Sequence, residues 1–327
     1  MFENKTVLIT GGTGTFGQGF TERILNKFSP RKVIIFSRDE MKQWEMEARF
    51  ENDKLRFILG DVRDKDRLKR ALNGVDILIH AAAMKIVPKA EYDPFECVKT
   101  NILGAMNVID AALDCKVNKV VALSTDKASS PVNVYGATKL VSDKIFIAAN
   151  SYRGAQATIF SVVRYGNVMG SRGSVLPLFD KLRNEKSMPV TDINMTRFMI
   201  TLDQGMDLVE TALKTAVGGE IFVRKVPSMK ILDVAKAINP TAEIQIIGVR
   251  PGEKIHEQLI SYDEAKYTFD FGEYFKIYSP YFLPKQDTIR EQGGKSVGSD
   301  FSYSSDKNKD WMTTEELLSW VDLNLKH

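Results

Sequence analysis

The sequence is poor in the side chains that hold metal ions and form disulfides. Its 327 residues include only two cysteines and three histidines. Cys97 and Cys115 lie far apart and form no CxxC pair, and no spacing of histidine and cysteine matches a metal site. We therefore expect both cysteines to be small core residues in a reducing compartment, and we expect no metal ion.

Long apolar runs and a strong charge imbalance are also missing. No apolar segment approaches the roughly 18 residues of a membrane-spanning helix. A strand pattern follows residues 1–5 directly, without a targeting segment before it. The net charge of +3 is too small to indicate a nucleic-acid partner. We expect a soluble, cytoplasmic protein without membrane or nucleic-acid partners.

Short apolar segments alternate with helical patterns in the first half of the chain. Phe16, Phe20, Ile24 and Phe28 recur every fourth residue, as on one face of a helix. Near-continuous apolar strands separated by helices are typical of a parallel sheet covered on both faces. The pattern predicts an α/β, doubly wound Rossmann fold. The predicted strands are 6–10, 33–36, 55–59, 75–80, 120–123, 158–163 and 219–223.

The rhythm changes after about residue 167, where glycines, prolines and short mixed segments appear. We predict a dinucleotide-binding domain over 1–166, with returns around 194–224 and in the C-terminal segment. A smaller, mixed substrate-binding domain is predicted over 167–193 and 225–290. The segment 300–327 is expected to end in a helix after Trp311.

A glycine-rich loop, GGTGTFG, joins the first predicted strand to the first predicted helix. Glycines let the backbone approach a pyrophosphate, and the helix N-terminus presents free N–H groups to it. The alternative is a plain glycine-rich turn, but the loop's position favours a dinucleotide. The expected cofactor contacts are Gly11, Thr13, Gly14, Thr15, Phe16 and Gly17.

The end of the second strand bears on the choice of dinucleotide. Arg38 lies 21 positions after Gly17, with Ser37 before it and Lys42 after it. A guanidinium and a hydroxyl suit the 2′-phosphate of NADP. The competing interpretation takes Asp39 as the ligand of the ribose hydroxyl and favours NAD. We predict NADP.

Two further strand ends are expected to touch the cofactor. Asp61 and Val62 follow the third strand and are placed to flank the adenine. Ala81, Ala82 and Ala83 follow the fourth strand, where small residues let the backbone lie close to the cofactor. The alternative for each segment is a strand-end loop without a ligand.

Tyr135 and Lys139 form a Y-x-x-x-K pair, which shares one face of a helix. An ammonium and a positive nicotinamide near a tyrosine lower the pKa of its phenol. The phenolate then takes a proton from a sugar hydroxyl while hydride leaves the same carbon. Such a pair is often chance on a solvated helix, but its place after the fifth strand favours catalysis.

The fifth strand is followed by Thr125, Asp126 and Lys127. Ligands of open α/β sheets bind at such carboxyl ends. A hydroxyl, a carboxylic acid and an amine there have three proton-handling roles to offer. Local evidence alone favours a turn with an incidental ion pair.

The run STDKASSPVNVYGATKL resembles the signature of the extended short-chain dehydrogenase/reductases. More narrowly, it is similar to the configuration-inverting UDP-N-acetylglucosamine 4,6-dehydratases that open the pseudaminic acid pathway. The resemblance covers essentially the whole chain. Further segments that carry it are GGTGTFG, FSRDEMKQ, GDVRDKDRL, HAAAMK, RYGNVMGSRGSV, TDINMTRFMIT, GGEIFV, PSMKI, RPGEKIHEQLI and DFSYSS.

The resemblance implies a lyase that regenerates its NADP. Tyr135, assisted by Lys139, deprotonates the sugar O4 while C4 gives up hydride. Lys127, as a neutral amine, removes the C5 proton, and protonated Asp126 donates to the leaving C6 hydroxyl. Hydride then returns to C6 and a proton to C5 with inversion. Thr125 is expected to orient the sugar.

The resemblance also implies a UDP-N-acetylhexosamine substrate and a homo-oligomer. It departs at Ile86, where the family commonly has histidine, and this puts in doubt the polar lining near the nicotinamide or sugar. The expected substrate contacts are Lys85, Asn167, Arg197 and Arg250, with Glu253 either anchoring its turn or touching the nucleotide.

Three rival functions stay open from the sequence. A nucleotide-sugar 4-epimerase needs Tyr135 and Lys139 but no elimination apparatus, and the Asp126–Lys127 pair argues against it. A dehydratase with retention at C5, or one that releases the 5,6-unsaturated intermediate, uses the same residues. A non-enzymatic NADP-sensing regulator tends to lose the Tyr/Lys pair that this chain keeps.

Overall fold

The computed structural model describes residues 1–171 and 173–325. Its strands are short and are spread over the whole described chain. They are β1 (Thr6–Thr10), β2 (Lys32–Ser37), β3 (Leu55–Leu59), β4 (Ile77–His80), β5 (Lys119–Thr125), β6 (Ile159–Tyr165), β7 (Ser187–Val190), β8 (Thr196–Phe198), β9 (Glu220–Arg224), β10 (Ser228–Lys230), β11 (Glu243–Ile246), β12 (Gln258–Ile260), β13 (Thr268–Asp270), β14 (Tyr274–Tyr278), β15 (Lys295–Ser296) and β16 (Tyr303–Ser304).

Helices separate most of the strands. A π-helical segment, Lys99–Leu103, and a 3₁₀ turn, Asp126–Ala128, stand among them. The α-helices are α1 (Thr15–Lys27), α2 (Glu40–Phe50), α3 (Lys65–Leu72), α4 (Val87–Tyr92), α5 (Pro94–Val98), α6 (Gly104–Asp114), α7 (Val134–Tyr152), α8 (Val175–Lys181), α9 (Leu202–Thr215), α10 (Ile231–Ile238), α11 (Tyr262–Ala265), α12 (Gln286–Glu291) and α13 (Thr314–Asn324).

Several helices begin at short polar side chains that cap them. Asp39, Asp64, Asn133, Thr201 and Thr313 each accept a hydrogen bond from a backbone N–H three residues further on. Each cap satisfies one of the free N–H groups of a first helical turn. The points where these helices begin are therefore specified locally by the sequence.

The predicted α/β fold is confirmed. Seven strands pair in parallel in the order β3-β2-β1-β4-β5-β6-β9. From β1 to β3 successive strands are added toward one edge of the sheet, and from β4 onward they are added toward the other edge. An open sheet of this kind has its ligand-binding crevice between β1 and β4, where the strand order switches. Strands β1, β2 and β4 are almost wholly buried, as parallel strands covered on both faces must be.

The sheet continues at one edge with strands that pair antiparallel to their neighbours. β14 pairs antiparallel to β9, β13 pairs antiparallel to β14, and β15 follows β13. The tight connection from β13 to β14 contains Gly272 at φ +87°, a conformation that favours glycine. Residues 268–278, expected in the substrate-binding domain, thus lie in the large sheet.

The described residues contain two large hydrophobic cores. The larger one lies on both faces of the central sheet. The smaller one joins α8, β7 and α10, and it includes Leu317 and Val321 of α13. The C-terminal helix therefore packs in the smaller core, whereas Tyr303 of β16 packs in the larger one. We keep the division into a cofactor domain and a substrate domain as a proposal.

Both cysteines have free thiols; Cys97 is buried and Cys115 is half-buried. Over 1–171 and 173–325, no helix combines the length and apolarity needed to cross a bilayer. Within the same residues, no three His, Cys, Asp or Glu side chains come together in a way that could hold a metal ion.

Candidate active site

A cleft of ≈ 830 Å³ opens at the carboxyl ends of the parallel strands. Residues that follow six different strands line it, because parallel strands all end at the same edge of the sheet. Among the lining residues are Gly11 after β1, Ser37 in β2, Gly60 after β3, Ala81 after β4, Thr125 in β5 and Gly166 after β6.

The glycine loop forms one wall of this cleft and is packed too tightly for side chains. Gly11 has φ +65°, and a Cβ on it would lie 2.9 Å from the Ala82 backbone. A Cβ on Gly17 would overlap the Gly12 carbonyl oxygen. Gly14 directly precedes α1, so the N-terminus of this helix lies at the cleft. These features fit the pyrophosphate of a dinucleotide.

The side chains of Asp39 and Arg38, just after β2, have different contacts. Asp39 Oδ1 accepts from the Lys42 N–H at 3.0 Å, and its Oδ2 lies 2.6 Å from Lys42 Nζ. Asp39 is therefore engaged in capping α2. The Arg38 side chain is 57% exposed at the cleft, where its Nη1 lies 3.5 Å from Asp61 Oδ2.

The remaining predicted cofactor contacts also line the cleft. Asp61 is gripped by the Arg63 guanidinium at 2.7 Å. Burial raises the pKa of the Asp61 carboxyl, but hydrogen bonds and charge from Arg63 outweigh it, so the net pKa is lowered. The lining includes Thr13, Gly14, Thr15, Phe16, Gly17, Lys42, Val62, Ala82 and Ala83.

The N-terminus of α7 brings Tyr135 beside the end of β5. Asn133 caps the helix by accepting from the Gly136 N–H at 2.7 Å. A Cβ on Gly136 would overlap the Lys127 carbonyl oxygen. The helix can approach the Asp126–Ala128 turn this closely only because residue 136 is glycine.

Burial acts in opposite directions on Tyr135 and Lys139. Tyr135 is 8% exposed, and burial raises its pKa to about 12, although the charge of Lys127 and a hydrogen bond with Thr125 oppose this. Burial lowers the pKa of Lys139, whose Nζ donates to the Leu123 carbonyl at 2.7 Å. Both side chains line the cleft.

Lys127 lies among three oxygen acceptors. Its Nζ is 3.1 Å from Asp126 Oδ1, 3.3 Å from Asn167 Oδ1 and 3.4 Å from Glu257 Oε1. Burial lowers the pKa of Lys127, but the carboxylates of Asp126 and Glu257 outweigh it and the net pKa is raised. The structure therefore favours an ammonium, where the sequence analysis expected a neutral amine.

Asp126 is buried directly behind the cleft wall, at 1% exposure. Its Oδ1 accepts from the Thr125 hydroxyl at 2.8 Å as well as from Lys127. A Cβ on Gly166 would lie 3.3 Å from its Oδ2, so the glycine leaves space between this carboxyl and the cleft.

A network of buried charged side chains begins beside Lys139, at Asp143. Asp143, one turn further along α7, accepts from Ser124 at 2.8 Å and pairs with Arg164 at 3.3 Å. Arg164 is fully buried and pairs with Glu264 at 3.0 Å. Burial raises the pKa of Asp143, against the charges of Arg164 and Lys139. The network links α7 to β6 and α11.

The expected substrate contacts divide into two groups. Lys85 and Asn167 line the cleft. Arg197 instead donates to the carbonyls of Thr196 and Ile255, at 2.8 and 3.0 Å, and so holds the segment after Arg250.

Arg250 and Glu253 belong to the exposed turn of that segment. The Arg250 N–H donates to Glu253 Oε2 at 3.5 Å, and Glu253 Oε1 lies 3.6 Å from Arg197. Ile86, the departure from the family pattern, is 62% exposed just before α4.

Sequence reasoning missed two residues of the site. Glu257 contacts Lys127, yet it lies far along the chain, in the segment RPGEKIHEQLI, from which only Arg250 and Glu253 were expected at the site. Asn101, in the π-helical segment, donates to the Met84 carbonyl at 2.9 Å and to Thr138 at 3.0 Å. It ties the loop after β4 to α7, and π-helical segments are frequent at functional sites.

Comparison with known proteins agrees with this geometry. The profile of a family described as polysaccharide biosynthesis protein matches residues 7–279. The chain is 51% identical, over 98% of both chains, to a Campylobacter jejuni protein named UDP-N-acetylglucosamine 4,6-dehydratase (inverting). It is 40% identical to a Rickettsia felis protein named UDP-glucose 4-epimerase, over 98% of this chain and 97% of that one. The solved structure of Pen from Bacillus thuringiensis superposes with a TM-score of 0.90 at 39% identity, covering 99% and 98%.

Proposed function

The chain belongs to the polysaccharide biosynthesis protein family, and from this premise we propose that it dehydrates UDP-N-acetylglucosamine with inversion at C5. The product is a UDP-4-keto-6-deoxy-N-acetylhexosamine. The observation that carries the proposal is that Tyr135 and Lys127 face the same cleft as the glycine loop. The high identity to a relative named for this reaction supports it.

The cofactor in this proposal is NADP. When bound, it would supply reversible hydride transfer to and from the sugar. The tight glycine loop would hold the pyrophosphate, and Arg38 with Ser37 would hold the 2′-phosphate. Asp39 supports this choice over NAD, because its carboxylate is already occupied by Lys42 at the start of α2.

Tyr135 is the base for the sugar O4 hydroxyl. Burial raises the pKa of its phenol to about 12, so the phenol needs nearby positive charge to lose its proton at neutral pH. Lys127 supplies such charge from the protein, and Lys139 lies one helical turn away on the same face.

Lys127 and Asp126 carry out the elimination. Transfer of one proton across their 3.1 Å contact turns the ion pair into a neutral amine and a protonated carboxyl. These are the two forms that elimination needs. The amine takes the C5 proton, and the carboxyl gives its proton to the leaving C6 hydroxyl. Thr125 and Asn167 orient the sugar, and Lys85 contributes a further polar contact.

The UDP moiety would lie toward the segment that Arg197 holds. Arg250 and Glu253 are in its exposed turn, where a guanidinium can reach a diphosphate. We further propose a homo-oligomer, acting in the cytoplasm as the first step of pseudaminic acid synthesis.

Product analysis tests the proposed function against its rival. The enzyme is incubated with UDP-N-acetylglucosamine and catalytic NADP, without added reductant. Dehydration gives a product lighter by one water, whereas the 4-epimerase suggested by the Rickettsia relative gives a product of unchanged mass. Proton NMR of the lighter product distinguishes inversion at C5 from retention or from release of the 5,6-ene.

A further inference from the structure

Glu257 is a buried carboxylate beside Lys127, a residue that lines the cleft. It is 1% exposed, and its main chain is fixed by two hydrogen bonds with Ser305, at 2.9 and 2.8 Å. Its segment is also tied to the catalytic elements: Lys254 donates to the Ser129 carbonyl at 2.8 Å. These contacts fix the backbone from which the carboxylate projects toward Lys127.

This carboxylate is only half satisfied. Its Oε1 lies 3.4 Å from Lys127 Nζ and 3.7 Å from Arg197 Nε. Its Oε2 is buried and has no hydrogen-bond partner within the described part of the chain. A buried charge with an unsatisfied oxygen costs folding free energy, so stability alone does not account for a glutamate here.

Lys127 thus has a carboxylate on two sides. Asp126 necessarily accompanies it as its sequence neighbour, but Glu257 is brought there by a separate segment. Positive charge from Arg197 opposes the effect of the two carboxylates on Lys127. The titratable and charged groups that face Lys127 or its partner Glu257 are Asp126, Tyr135, Arg197 and Lys254.

Resting on the proposed function, we propose that Glu257 is a positioning residue for the elimination step. Its carboxylate holds the Lys127 amine at the cleft and stabilises the ammonium that forms when this amine takes the C5 proton. In that step the C5–H bond breaks and an N–H bond forms on Lys127. The electron pair left at C5 expels the C6 oxygen as water, with the proton from Asp126. Because Lys127 rests as an ammonium, the same carboxylate holds its side chain at the cleft both before its proton passes to Asp126 and after it takes the C5 proton.

The test is the pH dependence of hydrogen exchange at C5 in deuterium oxide, measured beside C4 oxidation by nicotinamide absorbance. The intact enzyme with NADP and UDP-N-acetylglucosamine is compared with Glu257→Gln. Glutamine can still accept a hydrogen bond but carries no charge. Without that charge the pKa of Lys127 falls. The part of the exchange profile over which Lys127 loses its proton therefore moves to lower pH by roughly one unit or more. The plateau rate falls roughly tenfold, because the amine becomes a weaker base.

C4 oxidation and KM are expected to change little in Glu257→Gln. Glu257→Asp keeps the charge and is expected to move this part of the profile less than glutamine does, and it serves as the probe if Glu257→Gln does not fold. Glu273→Gln, the same change at an 85% exposed glutamate, is expected to leave the profile unmoved.

Two outcomes overturn the inference. One contradicts only the role of Glu257, and the other also contradicts the proposed function. If wild type dehydrates the substrate but the profiles of wild type and Glu257→Gln coincide, the role of Glu257 alone is lost. If wild type releases no water, the proposed function is lost together with it.

Discussion

At the scale of single residues, burial and nearby charges act in opposite directions on the pKa values of the site residues. The pKa of Tyr135 is raised because the phenolate loses hydration, and the pKa of Lys139 is lowered because its ammonium does. The pKa of Lys127 is raised in spite of burial, chiefly because the carboxylates of Asp126 and Glu257 face it. The protonation of Lys127 therefore depends on the charged side chains around it more than on its burial.

Arg38 is expected to select the phosphorylated cofactor. In Arg38→Ala the KM for NADP should rise about tenfold to a hundredfold, since a hydrogen bond to a charged group contributes about 1.5–3 kcal/mol. The KM for NAD should stay nearly the same. Steady-state kinetics with both cofactors measure this. Arg56→Ala, at an exposed arginine of β3, is the matched control, and an equal effect on NAD and NADP would refute the assignment.

His80 is expected to make folding stability depend on pH. Burial lowers its pKa to about 3, and Thr10 Oγ1 lies 2.8 Å from its Nδ1. Between about pH 6.5 and pH 3 the unfolded chain binds a proton that the folded protein excludes, so stability falls as pH falls. The slope is about 1.4 kcal/mol per pH unit.

Urea unfolding of wild type and His80→Gln at several pH values isolates this contribution. Between pH 6.5 and 4 the stability of the variant should fall less steeply than that of wild type. Parallel curves would show that His80 does not contribute.

At the scale of elements, the junction between the glycine loop and α1 is the least tolerant of change. Gly17→Ala puts a Cβ onto the Gly12 carbonyl, so the loop must move, at a cost of about 1–3 kcal/mol. Cofactor affinity should fall with it. Gly205→Ala in α9 is the control, because its Cβ would meet only the Tyr165 ring at 3.9 Å.

In a helix interior, alanine is about 0.5–1 kcal/mol better than glycine. Gly205→Ala should therefore be neutral or stabilising. Thermal unfolding and NADP titration measure both variants, and equal behaviour would contradict the tight packing at Gly17.

Elements with a strong local pattern could be predicted from the sequence. The strand 6–10 matches β1, and the helix through Phe20 and Ile24 matches α1, because continuous burial and fourfold spacing are local properties. The edge strands β13 and β14 were missed. Their short mixed segments resemble loops until β9 offers them an edge to pair with. Glu257 was missed for the same reason, since only tertiary packing brings it to Lys127.

At the scale of the whole molecule, several large apolar side chains are exposed along one stretch of the chain. Tyr92 is 89% exposed, Phe95 77%, Leu103 47% and Met106 48%. Large exposed apolar areas mark interaction surfaces, which supports the proposed homo-oligomer. Sedimentation velocity should show more than one copy for wild type and a smaller species for the double variant Phe95→Lys, Met106→Lys. Tyr281→Lys, at another 89% exposed aromatic residue, should behave as wild type, and a monomeric wild type would contradict the proposal.

In the proposed reaction, Lys127 takes the proton from C5 of a hexose whose C4 faces the cofactor. The most direct measurement is turnover of UDP-N-acetylglucosamine in deuterium oxide by wild type and by Lys127→Ala, followed by mass spectrometry and proton NMR. Wild type should give a dehydrated product with deuterium at C5. Lys127→Ala should still reduce the nicotinamide, more slowly because Tyr135 loses a nearby positive charge, but it should release no water and exchange no hydrogen at C5. Dehydration by Lys127→Ala at the wild-type rate would contradict the account.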